Sequence, residues 1–515
     1  MIAHKILFIY LMSLCQINFQ NSDNVKVDQM ISMSRLLESA ENNKDIAQIK
    51  MMFDNKSVLY TSELLPIFGK EPIVSLYDFI FNKQQIESIK YKRDTIYKEQ
   101  LNHIEKGTYI SKKVHKKEIK IPYKIVYKKK GNNYKIVSLS YGENTNIKRS
   151  LPQLPEPTGK YNIGQTQYYY SKNKSKNNRQ LSFQIWYPTH SNKDQKAIYQ
   201  SYDVVKASAD FLGFPFFMIS YFSEIKAHSA LNAESIKDTK FPVLLYNHGY
   251  SGFTSVYQTI FEDLASWGYI VVSIGHQDES ALLLRADGSV LYNNPQNRFY
   301  ASRASELRGE EIGRVQNVIL NSDDLDENIE SYKKLIYMSP LHNQSTRLWA
   351  NDTKAVYLKL KEINKQDKIL KGVFDFDRIG IFGHSVGAAT AGQLSYDTKF
   401  IKAGINLDGF QFGDLLQHTL KVPFMFVSSN DRNNRYLRAL TFRDKSVTSS
   451  YQVILKGFTH SNFTDLDYFL SGNNKKVTIQ RDLIRFFFDK YLKGSEITMK
   501  DMEKRYSEIK ISHGN

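Results

Sequence analysis

The residues with the clearest chemical meaning lie in one passage, Ile379-Gly-Ile-Phe-Gly-His-Ser-Val-Gly-Ala-Ala-Thr-Ala391. A short apolar strand runs into Gly383-His384-Ser385-Val386-Gly387, and small residues suited to a helix start follow. The G-x-S-x-G spacing puts a serine on a sharp strand-to-helix turn where bulky neighbours would clash. Ser385 therefore reads as a nucleophile exposed above a sheet, with the backbone N–H of Val386 aimed at a developing oxyanion. A serine hydroxyl is a poor nucleophile at neutral pH and needs a positioned base. Downstream of Ser385 stand only His418, His460 and His513. His513 falls in the tail, and His418 follows a leucine pair in an expected helix. His460 comes five residues after the apolar strand 451–455, in a loop at the edge where a base is required. It is the expected base. Two aspartates compete to orient it: Asp408 directly after Ala403–Leu407, and Asp431 four residues after Phe424–Val427. Topology alone leaves both open. The second oxyanion donor is expected from His248-Gly249-Tyr250, just after strand Val243–Tyr246, as the N–H of Tyr250. His248 itself reads as structural.

The elements that must hold these residues form an α/β pattern. Apolar runs at Val243–Tyr246, Tyr269–Ile274, Ile379–Phe382, Ala403–Leu407, Phe424–Val427 and Tyr451–Leu455 lack polar alternation, as strands buried on both faces do. Leu181–Tyr187 is expected as an antiparallel edge strand. Trp349, Val356, Leu360 and Ile363 mark one apolar helix stripe, and Ile479, Leu483, Phe486, Phe487 and Leu492 mark the last helix. The expectation is a mostly parallel sheet with helices on both sides, spanning residues 159–495, with its ligand site at the carboxyl ends of the strands.

A Pro-rich linker precedes it at 143–158, where three prolines fall within Leu151–Thr158. Before the linker, helical spacing covers Met30–Ala47 and Ile73–Phe81. Strands are expected at 86–98, 101–111, 118–130 and 134–141, the last two joined by Gly131-Asn132-Asn133. Helices followed by a curved antiparallel sheet make a small α+β domain over 28–142. Every proposed catalytic residue lies after the linker, so this domain is expected to be dispensable for the chemistry.

Hydrophobic residues make up 41% of the 515, enough for real cores. Lys5 and the apolar run Ile6–Leu14 read as a secretory signal cut near Cys15, residues 1–15, with periplasmic or secreted localisation. A lipid-anchored Cys15 fits less well, because Leu14 is bulky. Cys15 is the single cysteine, so the mature chain would have no disulfide and no thiolate metal site. His248 and His276 stand alone without metal-ligand spacing, and neither metal nor cofactor is expected. The net charge of +17 is uneven, with nine lysines between Lys112 and Lys130. Apolar alternation there favours solvated strand faces over an anionic-lipid or nucleic-acid patch, and export argues further against nucleic acid.

Several passages together resemble the platelet-activating-factor acetylhydrolase family of α/β-hydrolase fold, over about residues 155–495. They are Asn247-His-Gly-Tyr-Ser-Gly, Asp263-Leu-Ala-Ser-Trp-Gly-Tyr269, Gly275-His-Gln-Asp-Glu-Ser-Ala281, Gly383-His-Ser-Val-Gly-Ala-Ala-Thr390, Leu407-Asp-Gly-Phe-Gln-Phe-Gly-Asp414 and Lys456-Gly-Phe-Thr-His-Ser-Asn-Phe463. The resemblance implies a Ser385–His460–Asp408 triad, which moves the acid to Asp408, and metal-independent hydrolysis of short or oxidised acyl esters of phospholipids. Ala388 departs from it, since a second glycine is common there. The aromatic run Phe211–Phe222 is expected to line an acyl pocket, touch a lipid interface or form a buried helix. Broad carboxylesterase, thioesterase or polyester hydrolase activity remains an alternative substrate reading. The N-terminal pattern resembles the NTF2-like cone fold, in its SnoaL or DUF4440 branch, which allows a ligand-binding protein as a different class of function.

Overall fold

The computed structural model describes residues 32–62, 64–83, 86–142, 151–171, 179–191, 196–284, 290–292, 302, 305–322, 324–429, 446 and 448–514. The segment 1–15, expected as a secretory signal, and Asp431 lie outside the described residues. The chain divides into two compact units: Met1–Leu151 with Ser208–Glu224, and Pro152–Ala207 with Ile225–Asn515.

In the first unit, helices Met33–Asn42, Ile46–Met52 and Lys70–Lys83 accompany a six-stranded sheet. Its order is Ile67–Phe68, Phe53–Tyr60, Asn133–Tyr141, Ile119–Lys130, Asn102–Lys113, Ile86–Glu99. The single helix expected over 30–47 is two. Lys44 takes a left-handed φ of 53°, and the Asp45 side chain then caps a new helix by accepting from Gln48 N at 2.9 Å. The sheet is mixed rather than wholly antiparallel, because Phe53–Tyr60 pairs parallel with Asn133–Tyr141. Alternation along the strands buries Tyr91, Tyr123, Ile125, Ile136 and Leu139 in one core with Leu37, Ile49 and Ile73. Phe217, from far along the chain, joins that core with its ring 5.5 Å from Phe79. Phe216, Ile219 and Phe222 of the same aromatic run are also buried.

The second unit is built on an eleven-stranded sheet. Strand Phe374–His384 lies at its centre, between Phe241–Asn247 and Ile401–Leu407, and all three run parallel. Beyond Ile401–Leu407 come parallel Phe424–Ser429 and Ser450–Leu455, then antiparallel Ile509–Gly514. His513, expected in a ragged tail, stands in this ordered edge strand opposite Tyr451. The fold therefore continues past residue 495. On the other side, Ile270–His276 follows Phe241–Asn247, and antiparallel Gln180–Thr189 follows it. Gln180–Thr189 is antiparallel as expected but interior, since Asn162–Ser171, Lys226–Leu231 and Lys196–Ile198 extend the sheet beyond it.

Both faces of the sheet are covered. Helices Gln258–Ser266 and Asn474–Lys493 bury Phe261, Leu483 and Phe487 on one side, and Pro340–Gln366 buries Val356, Leu360 and Ile363 on the other. Each such side chain contributes roughly 1.5–3 kcal/mol when fully buried. Every strand carrying a candidate site residue is thus clamped on both faces, which makes the loops at its end precise. Part of the linker belongs to this unit: the Arg481 guanidinium donates to the carbonyls of Pro155 and Glu156 at 2.9 and 2.7 Å.

Candidate active site

The centre of the site is a strained turn. Ser385 has φ 57° and ψ −117°, between the end of strand Phe374–His384 and helix Val386–Asp397. A serine at positive φ is costly unless its surroundings enforce it. Here the backbone N–H of Ser385 donates to Leu407 O at 3.1 Å, tying the turn to the neighbouring strand. The packing is too close for side chains on the flanking glycines. A Cβ on Gly383 would stand 2.2 Å from Gly387 O, and one on Gly387 would stand 2.0 Å from Asn247 O. Val386 begins the helix, so its N–H has no intrahelical acceptor and lies at the positive end of the helix dipole.

The loop after strand Phe241–Asn247 reaches the same place. A Cβ on Gly249 would sit 3.3 Å from Ser385 Cβ and 3.0 Å from His384 Nδ1. Glycine at 249 thus lets the loop pass directly against Ser385, and Tyr250 is the next residue along.

The partners arrive from two further strands. Asp408 follows Ile401–Leu407 with φ 54°, and its N–H donates to Val427 O at 2.8 Å. Its carboxylate is 5% exposed and accepts from Ser429 N and Ser429 Oγ, both at 2.9 Å. His460 Nδ1 lies 2.7 Å from Asp408 Oδ2. His460 opens a short 3₁₀ turn, His460–Phe463, whose start is fixed by Thr459 N donating to Asn462 Oδ1 at 2.6 Å. The His384 ring lies 4.4 Å from that of His460. Burial, with His460 adding to it, holds the His384 imidazole well below the ordinary histidine range, so it packs there neutral.

The structure therefore brings Ser385, Gly249, His384, Asp408 and His460 to one edge of the sheet. His418 is elsewhere, stacked on Tyr396 at 4.3 Å. A buried carboxylate, a half-exposed imidazole and a serine on a strained turn are groups suited to acyl transfer, a chemistry in which an acid sets the tautomer of an imidazole that takes a serine proton. Among the described residues, no group of three or more His, Cys, Asp or Glu side chains is arranged to hold a metal ion.

Ser429 has no signal in the sequence, because a serine at a strand end is ordinary. A second set lies behind the loop that carries Gly249: Asn247, His276 and Asp352 are buried and linked in a chain that ends at the partly exposed Arg179. Its members are separated by up to 173 residues, so spacing cannot reveal it.

A mostly parallel sheet with a strand-to-helix nucleophile turn, and an acid and a histidine at the ends of later strands, defines an α/β-hydrolase fold. Residues 147–481 match the family described as platelet-activating factor acetylhydrolase, isoform II, and the chain belongs to that family. The platelet-activating factor acetylhydrolases of Cavia porcellus and Bos taurus are each 25% identical, over 345 and 339 residues. In both comparisons the match covers 61% of this chain and 69% of the relative. Among solved structures, a ferulic acid esterase from Streptomyces cinnamoneus is similar in fold, with a TM-score of 0.50 at 16% identity. That likeness covers 70% of this chain and 99% of the other.

Proposed function

We propose that this protein is a serine ester hydrolase that cleaves short or oxidised acyl esters, the sn-2 acetyl position of a phospholipid being the leading substrate. The single observation that carries the reading is the 2.7 Å hydrogen bond from His460 to a buried Asp408, at the same sheet edge as the strained Ser385. Ser385 Oγ attacks the ester carbonyl while His460 Nε2 removes its proton. The N–H groups of Val386 and Tyr250 stabilise the oxyanion, and His460 returns the proton to the leaving alcohol. Water then repeats the sequence on the acyl-enzyme, releasing the acid and restoring Ser385.

Family membership and the two acetylhydrolase relatives support the lipid reading. The test is a hydrolysis panel of phospholipids with graded sn-2 chains, simple esters, thioesters and polyesters. Preference for short sn-2 acyl chains is expected; flat turnover across soluble esters would leave a broad carboxylesterase. Export belongs to the same proposal, and N-terminal sequencing of the secreted protein tests cleavage near Cys15. For the N-terminal domain the proposal keeps the NTF2-like reading, supported by helices leading into a six-stranded sheet.

A further inference from the structure

The oxyanion loop is anchored by more than its own backbone. Asn247, the last residue of its strand, is fully buried, and its side-chain amide lies 3.0 Å from His276 Nε2 and 2.9 Å from Thr353 Oγ1. His276 ends the adjacent strand. Its Nδ1 is 2.9 Å from Asp352 Oδ2, and its ring is stacked on Trp349 at 4.0 Å and 9°. Asp352 in turn receives a two-pronged grip from Arg179, with Nε to Oδ1 and Nη2 to Oδ2 both at 2.7 Å. The loop is held at two further points: His248 Nε2 lies 2.8 Å from Ser280 Oγ, and Ser251 N donates to Glu279 O at 2.9 Å. The Glu279 carboxylate is itself buried and accepts from Trp349 Nε1 at 2.6 Å.

Burying an ion pair and a histidine in this way is expensive, and well-packed apolar side chains usually stabilise a core as well or better. What such a chain supplies instead is direction. A bidentate guanidinium–carboxylate contact fixes the carboxylate plane, and a carboxylate on Nδ1 fixes the tautomer and tilt of the imidazole. The stacked indole prevents the ring from rotating away. Asn247 is therefore held by a rigid partner at the position from which the loop departs toward Ser385, two residues before Gly249. An oxyanion donor has to be in place before charge develops, since its value comes from being preorganised.

We propose that Arg179, Asp352 and His276 are positioning residues that act through Asn247 to set the oxyanion N–H of Tyr250. None of the three is placed against the reacting atoms. The inference rests on the proposed serine hydrolase reading, and it predicts a particular kinetic signature. Loosening the chain should weaken transition-state stabilisation without changing ester binding, because the ground-state carbonyl depends little on the hole.

The experiment uses the full chain with Asp352→Asn, which keeps shape but removes the carboxylate charge, and Arg179→Gln at the partly exposed end of the chain. On a small activated ester, kcat should fall about 10- to 100-fold, the range seen when a group supporting a directly acting residue is lost, with KM changed by less than about twofold. A transition-state-like trifluoromethyl ketone should lose affinity in proportion to kcat/KM, whereas a substrate-like amide should not. Arg179→Lys, which restores charge but not the fork, should recover only part of the loss. Folded variants with parent kcat, or with kcat and amide affinity falling together, would overturn the inference. So would failure of both variants to fold, which would make the chain purely structural. A parent protein that neither turns over esters nor accepts a fluorophosphonate would instead overturn the hydrolase reading itself.

Discussion

His460 and Asp408 are joined by a 2.7 Å hydrogen bond across which exposure changes abruptly, from 47% on the imidazole to 5% on the carboxylate. The carboxylate end is dry and fixed, while the imidazole end is open to solvent. Two donors from Ser429 also reach the carboxylate. That asymmetry is what a general base needs: a fixed orientation on Nδ1 and an accessible Nε2. Asp408→Asn should keep the shape but cost up to roughly 10⁴-fold in kcat, because the amide favours the wrong tautomer. Ser429→Ala, which removes one of the carboxylate's donors, should cost about tenfold or less. Steady-state kinetics on one activated ester compare the two directly, and equal losses would argue against Asp408 as the acid.

Ser385→Ala should abolish fluorophosphonate labelling and leave the thermal unfolding midpoint within a few degrees of the parent. Residual turnover, if measurable, should come from binding and the oxyanion donors alone. Intact-mass spectrometry after labelling reads the first effect. A labelled Ser385→Ala protein would mean that the nucleophile lies elsewhere.

Sequence order suggests that the N-terminal domain is dispensable for the chemistry, but the packing of 208–224 changes what a truncation would do. Phe217 is 6% exposed in the core of the first unit. In the full chain, Phe217→Ala should destabilise that unit by about 3–5 kcal/mol, the usual cost of emptying a buried phenylalanine site. Deleting residues 1–150 should leave Phe216, Phe217, Ile219 and Phe222 uncovered, and the product should bind a hydrophobic dye and aggregate. Replacing 208–224 in that deletion by a Gly/Ser linker should suppress both. Dye binding and light scattering report the outcome.

Two buried carboxyls give the stability a defined pH slope. Burial pushes Asp465 up to about 7, and it pushes Glu41 up to about 8 in the first unit. In each case the folded state holds a proton that the unfolded chain would release near pH 4. Stability is therefore greatest below about pH 4 for these groups and is lost as pH rises through 7 and 8, opposite to the usual paired carboxylate. Asp465→Asn and Glu41→Gln should each flatten the curve between pH 5 and 8. Denaturant melts at pH 5 and pH 8 provide the check; an unchanged difference between the two would show that these groups do not set the slope.

The turn at Ser385 was legible in the sequence because its constraint is local. A strand that reverses into a helix within two peptides must have small residues around the serine, and Gly383, Gly387 and Ala388 declare that directly. The parallel strands were legible for a similar reason, since burial on both faces removes polar alternation from each one separately. His460 could be expected from chain order, but topology left Asp408 and Asp431 open, and the likeness to a family, with the exit of Asp408 directly from its strand, favoured Asp408. The tertiary structure decided what depends on distant segments meeting. It paired Asp408 with His460, placed Gly249 against Ser385, and recruited Ser429 to the carboxylate. It linked Arg179 to Asp352 across 173 residues and turned the expected tail into an edge strand. It also carried Phe217 into the core of the N-terminal unit. None of these pairings leaves a periodicity, because a hydrogen bond or a packed ring needs only one suitable residue at each end, and the fold alone determines which two ends meet.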